Sequence, residues 1–277
     1  MSPRVGRYSR AGGRADLTPS NRLRRSILLA GTILIGGGCF HAGAQEAARR
    51  SFANIEQISD VLARARVAQV AQSGAGNQVQ VLQEGKDLSI NAYVQGQMNR
   101  ASDRANAITQ TGDAATANVQ VVGDENAFSI SQNASNGPGQ NDASLTVEGD
   151  FNTADIRQSN DFGDGFSNTA RLSQTGNGNT GAIVQTVAPG MLVAGGNFGV
   201  ITQTGDDNEA LIEQTGADNS AMIGQDGDGN RGAILQDGEG LSALLIQKGS
   251  ALDYTINQTG CVISSGCGAV SVTQTGP

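Results

Sequence analysis

Few side chains of this 277-residue chain are equipped for chemistry, and their spacing narrows what they can do. The single histidine is His41. It lies in a stretch read below as a removable leader, so the mature chain holds no Ser-His-Asp or Cys-His site. Glu209 and Glu213 form a carboxylate pair, but both project outward from a strand and serve to solubilise it rather than to catalyse. Asp206, Asp207, Asp226 and Asp228 are the one weak metal candidate. They sit in two turns that stack on one edge, where four carboxylates repel unless they are hydrated or bridged by a hard cation such as calcium. The solvated reading is the simpler one. Cys261 and Cys267 share a turn insertion and are either a short loop disulfide, as an exported protein allows, or two free thiols. Two cysteines without further ligands do not make a metal site. No Gly-Lys-Ser or Gly-Lys-Thr follows the glycine-rich turns, so they are not phosphate loops. The expectation is a protein without catalytic residues and without a cofactor.

These turns are positioned by an array. Gln203, Gln214, Gln225, Gln236, Gln247 and Gln258 stand eleven residues apart. A glycine follows each by two residues, at Gly205, Gly216, Gly227, Gly238, Gly249 and Gly260. Asn208, Asn219 and Asn230 follow the first three by five. The unit recurs upstream at Gln72, Gly74 and Asn77, and at Gln174, Gly176 and Asn179, so the array runs from about Val67 to the C-terminus. Eleven residues also fit three helical turns. A glycine in every unit would cost such a helix roughly 1 kcal/mol each time, which argues for strands. In a strand, Asn208, Ala210, Ile212 and Gln214 share one face. The four residues from Thr215 to Asp218 are turn chemistry. Seven strand residues and four turn residues, taken twice, predict a rung of about 22 residues. The fold class is therefore all-β, a β-solenoid or cross-β stack of two-strand rungs spaced by about 4.8 Å. Gln203, Gln225 and Gln247 then lie above one another, as do Gln214, Gln236 and Gln258. Stacked amides satisfy each other along the axis. Scarce aromatic residues, with no Trp, three Tyr and seven Phe, suit a thin core of Ala and Ile rather than a conventional globular one.

The period lapses in places. Insertions fall between Gln95 and Gln110, Gln132 and Val147, Gln158 and Gln174, Gln185 and Gln203, and Gln258 and Gln274. Four of the five follow the same strand of the rung and fall on one edge; the insertion before Gln110 is the exception. Val121 and Val147 replace Gln in the ladders. Leu88, Arg104, Ala115, Leu241 and Leu252 replace Asn. On the outward face, Glu209, Arg231 and Asp253 are expected to stack. So are Val200, Met222 and Leu244 on the opposite outer face, with Phe198 and Ile246 beside them.

Residues 1–44 read as a signal peptide. Arg22, Arg24 and Arg25 precede an apolar run from Ile27 to Ile35, and Ala42, Gly43 and Ala44 offer a cleavage site. The run is short for a membrane span. Its removal takes seven Arg and one Asp and moves the net charge from −8 to −14. Such an acidic surface disfavours nucleic acid as a partner. Residues 45–66 stand outside the array and read as a weak amphipathic helix or a flexible export segment, with Phe52, Ile55 and Leu62 at helical spacing.

The unit from Gln203 through Gly205, Asn208 and Ala210 to Gln214 resembles the curlin repeat of bacterial curli fibres, and the next, through Asn219 and Ala221 to Gln225, is complete again. Gly74 with Asn77, Gly96 with Asn99 and Ala101, and Gly149 with Asn152 and Ala154 are partial matches. The resemblance covers residues 67–277. It implies a secreted, self-assembling amyloid subunit, major or nucleator-like, of an adhesive biofilm fibre. The implied partners are further copies, other curlin-like subunits and an outer-membrane secretion pore engaged by residues 45–66. A monomeric extracellular β-solenoid that binds calcium, carbohydrate or ice is the alternative class.

Overall fold

The structure, a computed structural model, describes residues 33–35, 52–58, 67–101, 107–134, 140–160, 167–187, 195–260 and 267–276. In chain order the strands are β1 (Ile33–Ile35), β2 (Phe52–Ile58), β3 (Val67–Ser73), β4 (Gln78–Gln95), β5 (Arg100–Ala101) and β6 (Ile108–Val122). They continue as β7 (Ala127–Ala134), β8 (Asn141–Glu148), β9 (Thr153–Asn160), β10 (Thr169–Thr175), β11 (Thr180–Val187) and β12 (Phe198–Thr204). The last are β13 (Glu209–Ala217), β14 (Ser220–Asp226), β15 (Arg231–Glu239), β16 (Ser242–Lys248), β17 (Asp253–Thr259) and β18 (Ala269–Thr275). Among the described residues there is no helix long and apolar enough to cross a membrane.

Every pairing is parallel, and the strands form two columns. β3 is followed in the first column by the second halves of β4 and β6, then by β8, β10, β12, β14, β16 and β18. β2 begins the second column. Above it come the first half of β4, β5 with the first half of β6, then β7, β9, β11, β13, β15 and β17. The chain alternates between columns, which makes it a parallel β-solenoid of two-strand rungs.

Strand alternation builds the core. In β10, Ala170, Leu172 and Gln174 point inward while their neighbours face out. Ile183, Ile212, Ile234 and Ile256 stack in the second column. Ile201, Ile223 and Leu245 stack in the first. All seven are buried. Burying one such side chain contributes roughly 1.5–3 kcal/mol, so a core only two side chains thick is stabilised by repetition.

The rungs are less uniform than the spacing predicts. From Gln203 to Gln225 and from Gln225 to Gln247 the step is 22 residues. Elsewhere it lengthens, to 26 from Gln132 to Gln158 and to 29 from Gln185 to Gln214. The strand register is kept: in sequence, residues 135–139, 161–166, 188–194 and 261–266 come after β7, β9, β11 and β17, all strands of the second column. The insertion before Gln110 falls elsewhere. It interrupts a strand between Ala101 and Ile108, which pair with Val79 and Val81.

One further segment differs from expectation. Residues 52–58 are not helical: Phe52–Ile58 is a strand paired to Gln78–Glu84, with Ala53 and Ile55 packed against the core. The stack therefore begins before Val67. Ile33–Ile35 of the expected leader pairs with Val70–Gln72. The rest of residues 1–51, with residues 59–66, lies outside the described residues, as do Arg104 and Cys261.

Candidate functional site

The side chains that tie rung to rung are the candidate site of this chain. In the first column Gln174 Nε2 donates to Gln203 Oε1, and Gln203 to Gln225, Gln225 to Gln247 and Gln247 to Gln274, each at 2.9 Å. In the second column a ladder runs from Gln83 through Gln110, Gln132, Gln158, Gln185, Gln214 and Gln236 to Gln258, with steps of 2.8–3.0 Å. Each amide has a second N–H, and it crosses the core. Gln225 Nε2 also donates to the Glu209 carbonyl at 2.9 Å, and Gln236 Nε2 to the Ser220 carbonyl at 3.1 Å. One Gln thus joins two rungs and two columns, which is why an amide rather than a hydroxyl recurs at the position.

The first-column ladder stops at Gln174. Below it the register places Val147, Val121 and Val94. With no amide below it, Gln174 Oε1 is buried and accepts no hydrogen bond. A buried acceptor left so costs about 1–3 kcal/mol. Gln95 is not a ladder residue: it pairs with Ser73, and it is exposed.

Asn residues clamp the backbone at the edges. Asn208 Oδ1 accepts from the Asn230 N–H at 2.9 Å, and Asn208 Nδ2 donates to the Gly227 carbonyl at 2.7 Å. Asn230 does the same to the next rung, through Leu252 N–H and Gly249 carbonyl. On the other edge Asn219 Oδ1 accepts from Leu241 N–H, while its Nδ2 donates to the Gly238 carbonyl. Each clamp reaches main-chain groups, so the next rung needs no Asn: Leu241 and Leu252 end the two series.

The turn aspartates have a role that sequence reasoning missed. Asp206 Oδ1 accepts from Asn177 N–H at 2.7 Å, and Asp228 Oδ1 accepts from Asp206 N–H at 2.8 Å. Asp124, Asp150 and Asn177 do likewise in earlier rungs. The signal was present: an Asp or Asn directly follows Gly123, Gly149, Gly176, Gly205 and Gly227. Asp207 sits one residue on, and Asp226 ends β14 facing solvent. Among the described residues no group of three or more His, Cys, Asp or Glu is arranged to hold a metal ion. Cys267 is disulfide-bonded.

On the outer face of the second column the register aligns Glu209, Arg231 and Asp253. Arg231 donates to Glu209 Oε2 through both Nε, at 2.9 Å, and its terminal nitrogen. This bond and the charge of Glu209 hold the guanidinium above its ordinary pKa, and Asp253 adds to the effect. The group stays charged at any accessible pH, so salt is the informative variable. Arg231→Glu is expected to lower the denaturation midpoint at low salt, with the loss shrinking as salt screens the three carboxylates. A loss independent of salt in chemical denaturation would assign the effect to something other than this row.

Parallel rungs tied by amide ladders and backbone clamps define a repeat-built β-solenoid. The family model for the curlin associated repeat matches residues 196–227 and 227–260, and this stretch is built of curlin repeats. No curated protein and no solved structure matches the chain.

Proposed function

We propose that this chain is a secreted subunit of an extracellular curli-type fibre, assembling with its own copies and with other curlin-like subunits for adhesion and biofilm matrix. The observation that carries the reading is the in-register Gln203–Gln225–Gln247 ladder. From Gln174 to Gln274 each rung offers the next the same row of amide and backbone donors and acceptors, so a rung of another copy can meet there the same row as a rung of its own chain. The curlin repeats between residues 196 and 260 support the same partners. On this reading residues 1–44 direct export, and residues 45–66 engage an outer-membrane secretion pore before Phe52–Ile58 joins the stack.

Thioflavin fluorescence and electron microscopy of the purified chain over days test the proposal. Unbranched fibres that bind the dye, and whose fragments shorten the lag of fresh protein, are expected. A chain that stays monomeric and folded at high concentration would contradict assembly and favour a monomeric binding module.

A further inference from the structure

We propose that the outer face of the first column between Phe198 and Ile246 is a contact face between two filaments of this protein, occupied by the same face of a second copy. The inference rests on the fibre reading above. The parallel register places Val200, Met222 and Leu244 directly above one another. Met222 is 41% exposed, and Phe198, Val200, Leu244 and Ile246 are half-buried on the same face. Ile246 lies over Gly224, since a Cβ there would come within 3.2 Å of Ile246 Cδ1. Three rungs thus present a continuous set of apolar side chains.

The patch is local and uncharged. Its only ionic residues are Asp226 and Lys248, which pair with each other in register at one margin. Earlier rungs of the same face carry Asn91, Asn118, Ser144 and Arg171 in the row that leads to Val200. The outer face of the second column interleaves its Leu211 and Leu235 with Glu209, Glu213, Arg231 and Asp253. An isologous contact suits the first face and not the second, because like meets like without bringing equal charges together.

Two features choose the occupant. Phe52–Ile58, the apolar segment of this chain that could have covered the patch, is instead a rung of the second column. Among the described residues no other unpaired apolar segment is left to cover it, and the occupant is another copy. Three strands at about 4.8 Å spacing, which between them offer the outward apolar side chains of Phe198, Val200, Met222, Leu244 and Ile246, span a few hundred Å² at most. A stable interface needs roughly 800 Å² per partner, so two free monomers do not hold together here. Along a filament the patch recurs once per subunit, and the weak contacts add through multivalency. The face therefore acts only after polymerisation, binding filament to filament.

The test uses the full chain with Met222→Lys and Leu244→Lys together, and a second variant with both residues changed to Ser. Both are expected to keep β content and elongation rate while mean bundle width in electron micrographs falls about twofold or more. Leu211→Lys with Leu235→Lys, on the opposite face, is expected to leave bundles intact. The proposal is overturned if neither first-column variant thins the bundles, if the opposite-face variant thins them equally, or if wild-type filaments never bundle; in each case the fibre reading stands. Collapse of β content in the Ser variant would overturn it too, by placing these residues inside. If no filaments form at all, the fibre reading fails and this contact with it.

Discussion

Gly227→Ala is expected to be among the most damaging single substitutions in the chain, and Gly229→Ala, two residues away in the same turn, among the mildest. Gly227 has φ +126°, and a Cβ there would lie 2.1 Å from the Gly249 carbonyl oxygen of the next rung. The backbone conformation alone costs a residue with a side chain about 1–3 kcal/mol. Relieving the clash displaces the rung, which loosens the Asn208 clamp on the Gly227 carbonyl and the Gly227 N–H bond to Thr204. The total is expected to reach about 4 kcal/mol or more. Gly229 has φ +65°, and a Cβ there would meet nothing within 4 Å. The rungs on either side hold Asp207 and Ala251 at that position with φ 56° and 55°. Alanine is expected to cost about 1 kcal/mol there. Urea midpoints of the two variants, read by circular dichroism, check the contrast. Equal losses would mean that the glycine column is not set by the close approach of neighbouring rungs.

Gln225→Leu is expected to follow closely in effect. Leucine fills the space but leaves Gln247 Oε1 and the Glu209 carbonyl without their donor and Gln203 Nε2 without its acceptor. At about 1–3 kcal/mol for each buried group left unpaired, a loss on the order of 3 kcal/mol is expected, with slowed assembly. Asp226→Asn beside it, facing solvent, serves as the control. The run of Val94, Val121 and Val147 sharpens the point: this column tolerates apolar residues in succession, so the cost belongs to the break and not to the missing amide. Adding Val94→Gln, Val121→Gln and Val147→Gln together would join Gln72 to Gln174 and supply a donor to Gln174 Oε1. Indistinguishable assembly rates for Gln225→Leu and Asp226→Asn would count against an inward-facing Gln225.

Much of this was legible because the repeat is its own alignment. The eleven-residue step from Gln203 to Gln258 fixed the faces of the strands and the stacking of Glu209, Arg231 and Asp253, with no structure needed. Register was misread where Gln was followed instead of Gly. Gln95 sits one residue before Gly96, whereas every Gln of the first-column ladder, from Gln174 to Gln274, sits two before a glycine, as Val94 does; the close approach of glycines pins the register, and Val94 takes the ladder position. Phe52–Ile58 was obscured because no Gln-x-Gly turn follows it. Its apolar residues fit helical spacing, and only pairing with Gln78–Glu84 makes it a strand. The interruption between Ala101 and Ile108 was hidden for a related reason: length shows that residues are extra but not whether they leave at a turn or within a strand. Calcium stayed a weak alternative to the solvated reading of the Asp carboxylates because their charges were counted without the backbone N–H groups that a neighbouring rung turns toward Asp206 and Asp228.

The amide ladder joins rungs of one chain, and this is what the fold and the proposed fibre both depend on. Solid-state NMR of fibres grown from labelled chain diluted into excess unlabelled chain tests it directly. Cross-peaks between the side-chain amides of Gln225 and Gln247 are predicted to keep their intensity per labelled molecule, because both residues belong to the same solenoid. Loss of those cross-peaks on dilution would show that the amides stack between copies in a flat amyloid, and would contradict the solenoid.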